Sequence, residues 1–197
     1  MHLSSMEHMK CLVKKYYFGH SHDLKVLDIG STDVNGSYKN LFHKGARYLG
    51  LDLAKGNNVD IVLKNPYEFP ISSNSMDLVI SGQAFEHIEF FWRTWLEMVR
   101  VTKEGGYIFL IAPSRGPEHR YPVDCWRFYP DGYRALAKLG FCELVEIKVD
   151  WEPHQDAESA PWGDCVGVFK KLPRSMLEKI FEFTGNFICK KIGYFGL

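Results

Sequence analysis

The chain is predicted to be an α/β protein: a doubly wound, mostly parallel sheet of seven strands, helices on both faces, and an antiparallel hairpin towards the C-terminus. Three observations predict it. Short runs rich in Val, Ile and Leu recur over the first 112 residues. Segments with helical spacing of apolar residues lie between them. Two further strand-like runs follow close together after a polar, aromatic stretch.

The first five runs are residues 25–30 (KVLDIG), 47–52 (RYLGLD), 59–63 (VDIVL), 76–81 (MDLVIS) and 106–112 (GYIFLIA). They are nearly continuous in apolar residues, as parallel strands covered on both faces must be. The clearest intervening helix is 89–101, where Trp92, Trp95, Leu96 and Val99 recur at helical spacing. After Pro113 comes SRGPEHRYPVDCWRFYPDG, too long and too rich in charged and aromatic groups for a simple crossover, so a functional loop is expected. A helix over 130–138 opens on Pro130. Residues 141–149 (FCELVEIKV) and 163–170 (GDCVGVFK) complete the sheet as the hairpin. Beyond Pro173, Leu177, Ile180, Phe181 and Ile188 form an apolar stripe among lysines. That pattern predicts a helix that packs on the domain or on a second subunit of a homodimer, or that touches a membrane surface.

Composition narrows the function classes. At 197 residues, 46% hydrophobic and 24% charged, the chain suits one folded domain. Lys plus Arg equals Asp plus Glu at 24 each, so there is no net field to gather phosphate backbones, and nucleic-acid binding is not expected. The first eighteen residues lack a signal peptide's apolar core, and no stretch approaches the roughly 20 apolar residues of a membrane span. A cytoplasmic protein without stable membrane insertion is expected. Five cysteines, none in a CxxC pair, predict reduced and mostly buried thiols.

In an open parallel sheet, ligands bind outside the carboxyl ends of the strands. The first strand-to-helix turn here is Asp28-Ile29-Gly30-Ser31. Gly30 lets the backbone approach a ligand, and Asp28 at the strand end is placed to hold a cationic amine. The continuation Thr32-Asp33-Val34-Asn35-Gly36 is not G-x-G-x-x-G, which argues against a pyrophosphate cradle and hence against a nicotinamide or flavin. Asp52 ends the second strand, where a carboxylate can accept hydrogen bonds from both ribose hydroxyls; alone it would serve equally as a helix cap.

Together, VLDIGSTDVNGSY, YLGLDLAKGNNVDIV, SMDLVISGQAFEHI and EGGYIFLIAP resemble class I S-adenosylmethionine-dependent methyltransferases, specifically the type 11 group, over roughly residues 24–142. The DVNGSY turn resembles members from cell-surface saccharide gene clusters. The resemblance implies a Rossmann-like fold and S-adenosylmethionine as cofactor. It implies that Asp28, Gly30 and Ser31 line the methionine moiety, Asp52 takes the ribose, Leu53 covers an adenine face, Asn65 reads the adenine edge, and Gln83 closes over the methionine portion. The domain then divides into a cofactor-binding half at about 24–112, an acceptor loop at about 113–131, and the hairpin and helix at about 141–192.

Methyl transfer needs a nucleophile held in line and deprotonated; no metal is expected. Of the eight histidines, His87 and His119 fall after strands four and five. His119 is a candidate base; His87 is either a base or a brace for the next helix. Asp124 would orient His119, Arg127 would clamp an acceptor anion or pair with Asp124, and Tyr121 or Trp126 would stack on a ring. A His87, His119 and Asp124 metal set has no zinc-type spacing. The expected reaction is methylation of an oxygen of a small polar acceptor such as a saccharide or nucleotide-linked sugar. Alternatives are N-methylation of a small amine or phospho-amine, or an inactive methyltransferase-like interaction subunit.

Overall fold

The computed structural model describes residues 2–17 and 23–173. Helix α1 (Leu3–Tyr17) precedes strands β1 (Lys25–Ile29), β2 (Arg47–Asp52), β3 (Ile61–Val62) and β4 (Met76–Gly82). Helix α2 (Phe91–Val101), β5 (Thr102–Arg115), α3 (Pro130–Gly140), β6 (Cys142–Val149) and β7 (Gly163–Lys171) follow. One sheet runs in the order β3-β2-β1-β4-β5-β7-β6. The first five strands are parallel, and β7 lies antiparallel between β5 and β6. The expected doubly wound sheet with a closing hairpin is what forms.

Alternation along the central strands explains the two-sided core. Leu27 of β1, Val79 of β4, and Ile108 and Leu110 of β5 pack with Trp95 of α2 and Tyr133 of α3. Their neighbours Val26, Leu78, Ile80, Phe109 and Ile111 face the other way and pack with Met9 and Leu12 of α1. Since successive strand residues point to opposite faces, both faces need a helical cover.

Four readings change. Helix α1 was not legible, because only Met9, Leu12 and Val13 of its apolar residues are buried, a stripe too thin to stand out. Strand β3 shrinks to two residues, since the Asp60 carboxylate leaves the strand pattern to accept the Gly50 N–H at 2.8 Å. Strand β5 lengthens to 14 residues because its antiparallel pairing with β7 runs as far as Arg115 opposite Gly163. Of the described cysteines, Cys142 and Cys165 are buried, but Cys11 and Cys125 are exposed; all four are free thiols. The helix expected beyond Pro173 lies outside the described residues. Among the described residues no helix is long and apolar enough to cross a membrane.

Candidate active site

The carboxyl ends of β1, β2 and β4 form one wall of the site. Gly30, at φ +77°, turns the chain out of β1, and its N–H and that of Ser31 donate to the Leu51 carbonyl at 2.9 and 3.1 Å. A Cβ at Gly30 would come within 2.5 Å of Ala84 Cβ, so only glycine fits. The polar residues in place of further glycines brace the turn: Asp33 accepts from the Gly36 N–H at 2.8 Å and from the Asn58 amide at 3.3 Å, and Ser31 Oγ donates to the Asn58 carbonyl at 3.1 Å.

Asp28 is buried beside this turn and accepts a short hydrogen bond from the Tyr48 hydroxyl, while its Oδ1 has no partner. Burial pushes its carboxyl up to about 7, against the lowering effect of Tyr48 and with that of nearby Asp52. At the end of β2, Asp52 accepts the Thr32 N–H at 3.0 Å and the Ala54 N–H at 3.2 Å, each oxygen keeping further acceptor capacity. An orphaned buried carboxylate oxygen beside a turn with no room for a Cβ fits the amine and backbone-close portion of S-adenosylmethionine. Leu53 is exposed at the same rim. Asn65 accepts the Tyr67 N–H at 2.9 Å, closing a local turn. Gln83, at φ +59°, donates to Asp164 at 2.9 Å and Ser5 at 3.4 Å, so its amide ties β4 to β7 and α1.

The second wall is built from the turn Phe85–His87 and the loop after β5. The loop is pinned to that turn by its backbone: the N–H groups of Cys125 and Trp126 both donate to the Glu86 carbonyl, at 2.7 and 3.3 Å. The pinning carries His119 to His87, with ring centroids 4.7 Å apart. His87 Nδ1 donates to the Val123 carbonyl at 2.6 Å, which leaves Nε2 as the lone-pair nitrogen, 3.6 Å from Glu86 Oε1. Burial lowers the His87 pKa. His119 Nε2 stands 4.0 Å from the same Glu86 oxygen, and its Nδ1 lies 3.4 Å from Asp124 Oδ2. Asp124 also accepts the His119 backbone N–H at 2.8 Å, while the His119 Nδ1 makes no hydrogen bond.

Glu86 was missed in the sequence, although it adjoins His87. It is fully buried, neither carboxylate oxygen accepts a hydrogen bond, and burial pushes its carboxyl up to about 8. Trp162 was also missed; its ring packs edge-on against His119 at 4.6 Å. The loop between β6 and β7 that delivers it carries no motif.

Two expectations are corrected. Arg127 places both Nη atoms on Asp124 and others of its donors on the Pro117 and Trp126 carbonyls, so its fork staples the loop and is not open to an acceptor anion. Trp126 donates its indole N–H to the Ile88 and Glu89 carbonyls and packs on Phe91, which makes it an anchor of the loop. Tyr121 is different: it is 66% exposed and stands beside both imidazoles. The hollow lined by Arg134, Phe141 and Leu172 lies beside α3 and β6, away from these strand ends.

Comparison with known proteins agrees with this geometry. Residues 27–110, from Leu27 within β1 to Leu110 within β5 and less than half of the chain, match the family model described as a methyltransferase domain. A protein from Bacillus halodurans assigned as a methyltransferase shares the fold at TM-score 0.65 and 13% identity, over 86% of this chain and 100% of that one. So does 1,6-didemethyltoxoflavin-N1-methyltransferase of Burkholderia thailandensis, solved with its substrate and S-adenosylhomocysteine, at TM-score 0.66 and 12% identity over 86% and 79% of the two chains. Phosphoethanolamine N-methyltransferase 2 of Haemonchus contortus, solved with phosphomonomethylethanolamine and S-adenosylhomocysteine, gives TM-score 0.62 and 15% identity over 85% of this chain and 53% of that one. No curated protein sequence matches the chain. The sheet order, the strand-end turn and the match over residues 27–110 agree in likening the chain to class I S-adenosylmethionine-dependent methyltransferases, whose fold it shares.

Proposed function

We propose that the chain methylates an oxygen of a small polar acceptor, with a saccharide or nucleotide-linked sugar as the class that suits the site. S-adenosylmethionine supplies the methyl group, whose bond to sulfur breaks with its electron pair left on sulfur as the bond to the acceptor oxygen forms. Asp28 Oδ1 receives the cofactor's amine, Gly30 and Ser31 pass close to its methionine portion, Asp52 takes the ribose hydroxyls, and Leu53 covers an adenine face. Asn65, though engaged in its local turn, lies near the adenine edge in this reading, and Gln83 bounds the methionine end.

The observation that carries transfer to oxygen is the convergence of His87, His119 and Glu86 within ion-pair distances at the end of β4. An alcohol must lose its proton as it attacks, whereas the free base of an amine already offers a lone pair; a cluster of proton-accepting groups is therefore spent to greater effect on a hydroxyl. Tyr121 at the rim supplies an amphipathic face for a sugar ring. N-methylation of a phospho-amine is the second reading, favoured by the reaction of the Haemonchus contortus relative in fold. Arg127 being occupied by Asp124 weighs against it, because no open guanidinium remains there for the phosphate. An inactive interaction subunit accounts for neither the unpartnered Asp28 oxygen nor the glycine-only turn.

The test is S-adenosylhomocysteine release on a panel of sugars, nucleotide sugars and phospho-amines, with calorimetry for the cofactor. Turnover of a hydroxyl acceptor is expected. Turnover of phospho-amines alone would replace the reading with the second one, and binding of NAD in place of S-adenosylhomocysteine would remove both. Asp52→Ala should weaken S-adenosylhomocysteine binding by about 1.5–3 kcal/mol, the range for hydrogen bonds to a charged group.

A further inference from the structure

We propose that Glu86, His87 and His119 bind a single divalent transition-metal ion, with open coordination positions facing the acceptor. One ligand atom from each residue, a carboxylate oxygen and two imidazole nitrogens, lies within 4.8 Å of the others. The closest approaches are 3.6 Å from His87 Nε2 and 4.0 Å from His119 Nε2 to Glu86 Oε1. Around a tetrahedral ion with bonds of about 2.0–2.2 Å, ligand atoms stand about 3.3–3.5 Å apart, so side-chain movements of less than about 1 Å close the set.

Three features point to a cation. The Glu86 carboxylate is completely buried and neither oxygen accepts a hydrogen bond, a situation that an ionised carboxylate tolerates only beside a positive charge. His87 is held from its far side by the Val123 carbonyl at 2.6 Å, as outer partners hold metal ligands, and Asp124 accepts the His119 backbone N–H at 2.8 Å; the two Nε2 atoms stand 3.6 and 4.0 Å from Glu86 Oε1. Finally, the His119 side chain is 28% exposed and its ring lies 6.3 Å from that of the exposed Tyr121, so an ion can reach the cluster from solvent.

Two nitrogens and one carboxylate oxygen form the donor set of a catalytic zinc-type site that keeps a position free. Asp124, the third member of the set weighed from the sequence, is instead committed to Arg127 and accepts the His119 backbone N–H. Binding of the ion follows from the geometry alone. Its consequence rests on the oxygen-methylation reading: the cation would lower the pKa of an acceptor hydroxyl, whose proton leaves to water at the exposed edge of the cluster.

The experiment is Co(II) titration of the chelator-treated full-length protein, read by visible absorption, with Zn(II) competition and thermal melting as second readouts. One equivalent of Co(II) should bind at micromolar or tighter affinity, give ligand-field bands that Zn(II) removes, and raise the melting temperature. His119→Ala and Glu86→Gln should each weaken Co(II) binding at least about 100-fold, and Asp124→Asn about 10- to 100-fold, with S-adenosylhomocysteine binding kept as the check on folding. His8→Ala serves as control, since His8, Asp150 and Asp164 form the other grouping of metal-capable side chains among the described residues. Absence of bands and of any thermal shift up to millimolar metal overturns the proposal. So does unchanged Co(II) affinity in both His119→Ala and Glu86→Gln, or loss of binding in His8→Ala alone. Tight Co(II) binding without turnover of any hydroxyl acceptor would leave the metal site standing and overturn the oxygen-methylation reading. Undiminished turnover of a hydroxyl acceptor by metal-free protein would leave the oxygen-methylation reading standing and overturn the cation's part in it.

Discussion

Arg127 and Asp124 meet fork to fork: Nη1 lies 2.6 Å from Oδ1 and Nη2 lies 2.8 Å from Oδ2. The pair holds the Asp124 carboxyl well below the usual carboxylate range, and Asp124 in turn receives the His119 N–H. A lysine offers a point charge in place of the planar fork. Arg127→Lys is therefore expected to cost about 1–3 kcal/mol of stability, from lost hydrogen bonds at a buried carboxylate, and to lower turnover by letting His119 drift. Urea unfolding and steady-state kinetics check it; normal values for both would show that the staple is dispensable.

His119→Ala should lower turnover by roughly 10²–10⁴-fold while leaving cofactor affinity nearly unchanged, since the β1 and β2 ends are separate from the loop. The loss is expected whether the imidazole takes a proton itself or acts as a metal ligand. Kinetics with an identified acceptor, alongside cofactor calorimetry, measures it. Equal losses of turnover and cofactor affinity would place His119 in the cofactor site.

Asp28 sets a pH dependence. Its carboxyl is raised from 3.8 to about 7 in the folded protein. Between roughly pH 4 and 7 the native state thus holds a proton that the unfolded chain releases, so stability from this group falls as pH rises through that window and is flat above it. Deprotonation above about 7 is also the state that pairs with a cationic amine, so S-adenosylmethionine should bind more tightly at pH 8 than at pH 6. Asp28→Asn should flatten both profiles, in melting and in calorimetry.

Gly30→Ala combines a left-handed backbone, which costs an alanine about 1–2 kcal/mol, with a 2.5 Å approach of its Cβ to Ala84 Cβ. A lower melting temperature and at least tenfold weaker S-adenosylhomocysteine binding are expected. Ala84→Gly in the same chain should recover part of the stability by removing the clash, while the backbone cost stays. No recovery would show that strain at φ accounts for all of the loss.

The sequence alone determined the sheet, its parallel half and the turn that leaves β1. Buried strands must be apolar on both faces, and runs such as 76–81 and 106–112 have almost no other use. Asp28, Gly30 and Asp52 were legible because strand ends are local in sequence and the topology puts all of them at one rim. Helix α1 escaped because three buried apolar side chains suffice where the sheet supplies the rest of the contact. What only the tertiary structure decided was the acceptor side. Whether Arg127 faces an anion or Asp124, whether Trp126 is a platform or an anchor, and that Glu86 and not Asp124 stands between the two imidazoles all depend on backbone hydrogen bonds from Cys125 and Trp126 to the Glu86 carbonyl. Those bonds join segments nearly forty residues apart, and no periodicity or motif encodes a long-range contact of that kind; it is settled by the loop finding partners for its own polar backbone.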